Sequence, residues 1–280
     1  MSADCMSAVQ TPAAMAPPTS RQLVARLRSG AWSEADDELA EEVPVALEYN
    51  GVSHAVMMAT PADLEQFALG FSLSEGIIGS VSEFYGVEVT HGEIGITAHI
   101  DIASAAFLQL KERRRSMTGR TGCGLCGVDS LAQVLRPLPW LAPSRSLSAR
   151  AIRRALAGVK QLQPLNRITG ATHAALWCDA NGALQAGFED VGRHNALDKL
   201  IGALAQSGTE LADGFALITS RASVEMVQKA ATAGISALVA ISAPTALAAR
   251  TAQACGMTLV AFARGDDFVA YAHGLNIVLD

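Results

Sequence analysis

The sequence predicts an α/β protein, with a smaller α+β region in its N-terminal half and a C-terminal domain in which strands and helices alternate. Three observations carry this expectation. Hydrophobic residues make up 50% of the 280-residue chain and charged residues 17%, which suits one large or two modest domains with a real core and excludes a disordered or coiled-coil chain. In the first half, paired apolar runs flank turn dipeptides, the mark of β-hairpins. From residue 194 onward, helical and strand patterns succeed one another, as in a domain built on a largely parallel sheet.

The elements follow in order. Residues 1–20 are rich in Ala, Pro and Ser and lack a basic segment before an apolar one; they are expected to be a disordered tail rather than a signal peptide. Residues 43–49 and 52–59 flank Asn50-Gly51, the strongest short hairpin signal. Thr60-Pro61-Ala62-Asp63 offers an N-cap to the amphipathic run Leu64–Ser74, which Gly76 closes. Residues 85–90 and 94–102 alternate around His91-Gly92 as a second hairpin. A short helical pattern then ends at Leu135, before a Pro-rich boundary at 137–143. Ser148 caps a helix to about Val159, and Ala174–Cys178 and Ala183–Phe188 form a third hairpin. The alternation reads helix 194–206, strand 215–219, helix 223–233, strand 237–241, helix 245–254, strand 258–263 and a last strand near 268–271. The expected organisation is a tail at 1–20, an α+β region at 21–116, a cysteine loop and connector at 117–147, and the α/β domain at 148–280.

Net charge is -6, from 27 acidic and 21 basic residues, which argues against broad binding to nucleic acid or an anionic membrane. The uncharged stretch between Lys229 and Arg250 is broken by Gly234 and Pro244 and reads as helix end, buried strand, loop and next helix, not as a membrane span. The 5 cysteines do not make a disulfide framework, and a reducing cytoplasm is the expected compartment.

Cys123-Gly124-Leu125-Cys126 is the sharpest local feature. Two thiols at this spacing can share a metal, form a reversible disulfide or pass sulfur between them, and spacing alone does not choose. Glycines at 122, 124 and 127 and the cations Arg113, Arg114, Arg115 and Arg120 favour thiolate over thiol if they are near in space. The plainer alternative is a buried structural pair. Cys178 and Cys255 stand alone, so a four-ligand zinc site is not expected. A zinc deaminase is the more serious rival, because His91-Gly92-Glu93 precedes the pair, although Gly122 stands where proline is needed and the His-Glu pair falls in a hairpin turn.

The second feature is Glu189-Asp190-Val191-Gly192-Arg193-His194-Asn195, where a strand meets a helix. Arg193, His194 and free turn amides suit a phosphate there, while helix capping by Asp190 or Asn195 explains the same residues without a ligand. The next junctions, Thr219-Ser220-Arg221-Ala222-Ser223 and Ser242-Ala243-Pro244-Thr245, repeat the polar pattern, and Arg264-Gly265-Asp266-Asp267 adds a fourth. Such junctions line the carboxyl edge of an open α/β sheet, where ligands bind. There is no dinucleotide fingerprint or Walker loop.

RTGCGLCG (120–127), THAA (172–175), EDVGRHNALDKLIG (189–202), SRASVEMVQKA (220–230), ISAPTALA (241–248) and TLVAFARGDDFVAYAH (258–273) together resemble the formate dehydrogenase accessory sulfurtransferase family, FdhD/NarQ, from about residue 43 to the C-terminus. The resemblance implies a cytidine-deaminase-like three-layer C-terminal domain that does not use the deaminases' zinc. It implies a cytoplasmic sulfur carrier that takes persulfide sulfur from a cysteine desulfurase. The sulfur then passes to a molybdenum or tungsten bis(molybdopterin guanine dinucleotide) cofactor, a bound substrate rather than a resident group, for the formate dehydrogenase catalytic subunit. Neither nucleic acid nor membrane is an expected partner, and a homodimer is compatible with the resemblance. Carried over by position, Cys123 bears the persulfide and Cys126 is the second cysteine. The cofactor-binding stretch falls on Phe262, Ala263, Arg264, Gly265, Asp266 and Asp267. Ala261 stands where many members have glycine, and His273-Gly274 where a proline often follows. A non-covalent cofactor chaperone using Arg193, His194, Arg221 and Arg264 remains an alternative, as does a zinc hydrolase.

Overall fold

The computed structural model describes residues 17–118, 137–143 and 147–279. In the N-terminal part, β1 (Thr19–Arg28) and β2 (Ala31–Ala40) form a hairpin through Ser29 and Gly30, at φ 49 and 80. A sheet of order β4-β3-β6-β5 follows, built from β3 (Val43–Tyr49), β4 (Val52–Ala59), β5 (Phe84–His91) and β6 (Ile96–Ile102). Alternate positions on β3 and β6 (Val45, Leu47, Tyr49, Ile96, Ala98, Ile100) are buried against α1 (Leu64–Ser74) and α2 (Ser104–Thr118), the period-2 pattern of a sheet covered on one face. The Asn50-Gly51 hairpin is as read from the sequence, with both residues at positive φ.

The start of α1 is not. Asp63 occupies the N-cap position at φ 55 without a side-chain cap bond, and Thr60 is engaged elsewhere. The sequence pattern gives no signal for β1, β2, α2 or the short helix Pro164–Thr169.

The C-terminal domain has three layers. Its elements are α3 (Ala149–Gly158), α4 (Pro164–Thr169), β7 (His173–Asp179), β8 (Leu184–Asp190), α5 (Arg193–Ser207), β9 (Gly214–Ile218), α6 (Val224–Thr232), β10 (Ala237–Ala240), α7 (Ala246–Cys255), β11 (Thr258–Arg264) and β12 (Asp267–Ala272). Ser148 caps α3, accepting from the Ala151 amide at 3.1 Å. One face of the sheet, through Trp177, Ala216, Leu238 and Leu259, packs on α5, α6 and α7. The other face, through Leu176, Leu217, Val239 and Val260, packs on α3. Strands β9 and β10 are buried on both faces, which explains why they read as short continuous apolar runs.

The sheet order is β12-β11-β10-β9-β7-β8. Only β9, β10 and β11 are paired in parallel, while the pairs β7-β8, β7-β9 and β11-β12 are antiparallel. The sheet is therefore mixed rather than largely parallel, because tight turns at 180–183 and at Gly265 reverse the chain where a crossover helix would have kept its direction.

Candidate functional site

The strand directions bring the predicted junctions to one edge of the sheet. The carboxyl ends of β8, β9, β10 and β11 share it with the start of β7. Each polar junction starts a helix there: 190–193 leads into α5, 219–223 into α6 and 242–245 into α7. The last two loops are tied together, since the Ala222 amide donates to Ala243 O at 3.1 Å and the Thr245 amide to Ala222 O at 3.0 Å. Thr219 Oγ1 accepts from the Ala174 amide at 2.9 Å, joining the THAA segment to the same edge. Arg221 and Arg264 are exposed, and Arg264 Nε donates to Ile241 O at 3.1 Å. Phe262 to Asp267 span the end of β11, a turn through Gly265 and the first residue of β12. At about 4.8 Å per strand, the end of β11 is about 10 Å from the end of β9, two strands over, and about 19 Å from the end of β8, four strands over.

The α5 motif divides into two sets. Glu189 is buried and structural: its carboxylate accepts from the Leu165 and Asn166 amides and from Thr172 Oγ1, each at 2.7 Å, so it caps the start of α4. Asp190 pairs with Lys199 at 2.7 Å with both side chains fully buried. It also accepts from the Thr60 amide at 3.0 Å and the Gly192 amide at 2.8 Å. Asn195 Nδ2 donates to Met58 O at 2.8 Å. One turn on, Asp198 meets Lys229 Nζ at 2.9 and 3.0 Å and Ser74 Oγ at 2.6 Å, and Lys229 also reaches Glu75 at 2.7 Å. Burial works against the Lys229 charge, but the Asp198 and Glu75 carboxylates outweigh it and hold its pKa above the usual lysine value. These bonds clamp β4 and α1 onto α5 and α6. Glycine makes the contact between helices possible: a Cβ on Gly70 would overlap Asp198 O, and one on Gly202 would overlap Gln66 O. Sequence reasoning missed this seam, because the partners are far apart along the chain.

Arg193 and His194 form the second set, in the first turn of α5. Arg193 Nε and His194 Nε2 are shielded from solvent, and among the described residues neither finds a hydrogen-bond partner. Burial, with Arg193 and Lys229 nearby, pushes His194 down to about 4, so it is a neutral imidazole near pH 7 rather than the cation a phosphate site would favour. Glu225, in the first turn of α6, faces it and is itself held low by the Ser223 hydroxyl.

Cys123 and Cys126 lie outside the described residues, as does the helical pattern that ends at Leu135. Cys178 and Cys255 are free and buried, and burial pushes both thiols up, so neither is a ready thiolate. His91 and Glu93 sit at a turn of the four-stranded sheet, and no group of three or more metal-binding side chains occurs among the described residues. Among the described residues, no helix is long and apolar enough to cross a membrane. A cavity of about 740 Å³ opens at the opposite edge of the sheet, between Ile77, Ile78, Arg113, Ile201 and Leu204, and contains none of the candidate site residues.

Fold and edge thus define a three-layer α/β protein with a polar, helix-terminal strand edge and an α+β unit joined to it through buried ion pairs. A family model described as the FdhD/NarQ family matches residues 40–278, and the chain belongs to that family. It is 56% identical over 237 residues to the sulfur carrier protein FdhD of Variovorax paradoxus, covering 85% of each chain. It is 55% identical over 259 residues to the protein of that name from Cupriavidus necator, covering 92% of this chain and 90% of the relative. The FdhD protein of Bordetella petrii is 52% identical over 252 residues, 89% of this chain and 91% of its own. A crystal structure from Desulfotalea psychrophila, described as a candidate formate dehydrogenase accessory protein, superposes with a TM-score of 0.73 at 24% identity, over 94% of this chain and all of that one, and it supports the fold.

Proposed function

We propose that this protein is a sulfur carrier serving formate dehydrogenase: Cys123 takes sulfur from a cysteine desulfurase persulfide and delivers it to a molybdenum bis(molybdopterin guanine dinucleotide) cofactor held as substrate. The observation that carries this reading is the match to relatives named as sulfur carrier proteins at more than half identity across nearly the whole chain. The Cys123-Gly124-Leu125-Cys126 segment lies inside the matched family range. The basic strand edge supports the substrate assignment, because Arg221 and Arg264 beside three helix N-termini suit the pyrophosphates of a dinucleotide.

In the first step the Cys123 thiolate attacks the terminal sulfur of the donor persulfide. A bond forms to that sulfur, the donor S–S bond breaks, and the donor cysteine leaves as thiolate. In the second step the Cys126 thiolate attacks the inner sulfur of Cys123-S-SH. The Cys123–Cys126 disulfide forms and the terminal sulfur leaves as hydrosulfide for the metal; a cellular dithiol then reduces the disulfide. The protein's other residues bind and orient the dinucleotide.

Intact mass after incubation with desulfurase and cysteine tests the reading. The wild-type chain is expected to gain one sulfur and Cys123→Ala none. An unchanged gain in Cys123→Ala overturns the assignment, and full formate dehydrogenase maturation by that variant supports the non-covalent chaperone instead.

A further inference from the structure

The 740 Å³ cavity at the opposite edge of the sheet is formed where α1, α5 and α6 end beside α2. Its walls are apolar: Ile77 and Ile78 follow α1, Ile201 and Leu204 lie in the last two turns of α5, and Leu211 and Ile235 follow α5 and α6. The backbone of these helix ends is spent locally. The Ile77 and Ile78 amides both donate to Ser72 O, at 2.8 and 3.2 Å, the Thr209 amide donates to Leu204 O at 3.0 Å and the Ile235 amide to Ala230 O at 2.9 Å. The charged groups at the rim are engaged too, Glu83 accepting from the Gly79 amide at 2.6 Å and Arg113 donating to Gly76 O at 2.9 Å. The space is within the size range of binding cavities, but it offers apolar surface and does not suit an anionic dinucleotide. The α2 wall ties it to the cysteine motif. Ala106, Gln109 and Arg113 recur at helical spacing along one face of α2 and line the cavity. Cys123 follows Thr118, the last residue of α2, by five positions, a span of at most about 17 Å.

We infer that a persulfide-bearing donor protein docks on this cavity, filling it with apolar side chains while its persulfide reaches Cys123. This rests on the reading of Cys123 as the sulfur acceptor and adds the surface that the donor uses. A protein that hands sulfur to Cys123 must come within bonding distance of it, so the short tether confines the donor to the neighbourhood of the α2 end. Pockets that bury a partner's side chains away from water carry most of the energy of a protein interface. The polar edge with Arg221 and Arg264 lies at the other end of the strands, so a docked donor leaves it open.

The test follows sulfur gain on the full-length chain by intact mass, as initial rate against the concentration of a cysteine desulfurase supplied with cysteine and, separately, of glutathione persulfide. With the small donor the Cys123 thiolate takes the same terminal sulfur and glutathione leaves as thiolate, so no docking is needed. Gln109→Trp and Ala233→Phe put rings into the cavity from two of its walls, and Leu108→Trp puts the same bulk on α2 outside it. Both cavity variants are expected to raise the half-saturating desulfurase concentration about tenfold or more. Their loading from glutathione persulfide, and Leu108→Trp with either donor, should match the wild type. Gln109 is exposed, so an unchanged melting profile is expected of that variant and keeps the test open if Ala233→Phe fails to fold. Wild-type desulfurase dependence in the folded cavity variants overturns the docking surface and leaves Cys123 as acceptor, as does a wild-type chain loaded by glutathione persulfide alone. Equal slowing with both donors also overturns it, because the cavity then holds part of this chain and governs Cys123 directly. A changed oligomeric state with unchanged desulfurase dependence overturns it in favour of a second copy. A wild-type chain that gains sulfur from neither donor overturns the docking surface and the sulfur-carrier reading together.

Discussion

The buried seam and the polar strand edge are built from the same short motifs and behave in opposite ways. In the seam, Asp190, Asp198, Lys199 and Lys229 face one another in the interior, and each charge is met by an opposite charge and by further hydrogen bonds. Along the edge, Arg221 and Arg264 are exposed, and Arg193 Nε has no partner among the described residues. A charged residue in a recognisable motif is therefore no guide to ligand binding until its partner is located. Where the partner is inside the protein the residue holds the fold; where a donor is left over, a ligand can use it.

The comparison breaks most visibly at Lys229. Lys229→Met leaves Asp198 fully buried with Glu75 nearby and without its lysine countercharge, the Ser74 hydroxyl still donating to it. Removing one partner of a buried pair costs about 3–5 kcal/mol, so the guanidinium midpoint should fall by that equivalent. Gly70→Ala comes next. Its Cβ would run into the Asp198 backbone, which cannot move as a flexible side chain could, and overpacking of this kind costs about 1–3 kcal/mol. The same denaturation curve measures it; an unchanged midpoint would show that the helices separate freely and that the seam is not rigid.

The seam was illegible in the sequence for a physical reason. Thr60 and Asp190 are 130 residues apart, and Ser74 and Asp198 are 124 apart; no local pattern records which charge will meet which. The alternating C-terminal elements were legible because apolar runs and turn residues are local signals, and the edge followed from them once strand direction was known. The hairpin β1-β2 was not, since β2 carries Glu34, Asp36, Asp37 and Glu38 and has little intrinsic strand preference. Its ten paired positions, with Arg21 in ion pairs with Asp36 and Glu38 and Arg26 with Asp37, supply what propensity lacks. Cys123 and Cys126 stand on the sequence motif, outside the described residues.

His194 sits between the two regions, and pH separates its roles. Its folded pKa of about 4 lies below the ordinary 6.5, so the unfolded chain takes up a proton first as pH falls. The stability present above pH 6.5 should decline between pH 6.5 and about 4 and level off below. The loss attributable to this group is about 1–3 kcal/mol. Denaturant midpoints across that range should show the decline in the wild type and a shallower one in His194→Gln. An identical slope in both would assign the pH dependence to other groups.

The smallest effect on stability is expected at the edge itself. Arg264 is exposed and its single described bond is to the Ile241 carbonyl, so Arg264→Ala should move the midpoint by no more than about 0.5 kcal/mol. Its effect on pyrophosphate and GDP binding should be large by comparison, because the proposed anion site would lose one charge-assisted donor. The pair of measurements is what sharpens the contrast: Lys229→Met should lower stability severely, and Arg264→Ala should lower affinity in a chain that melts like the wild type. If Arg264→Ala instead destabilises the fold and leaves binding intact, its bond to Ile241 is structural and the division between seam and edge has been drawn in the wrong place.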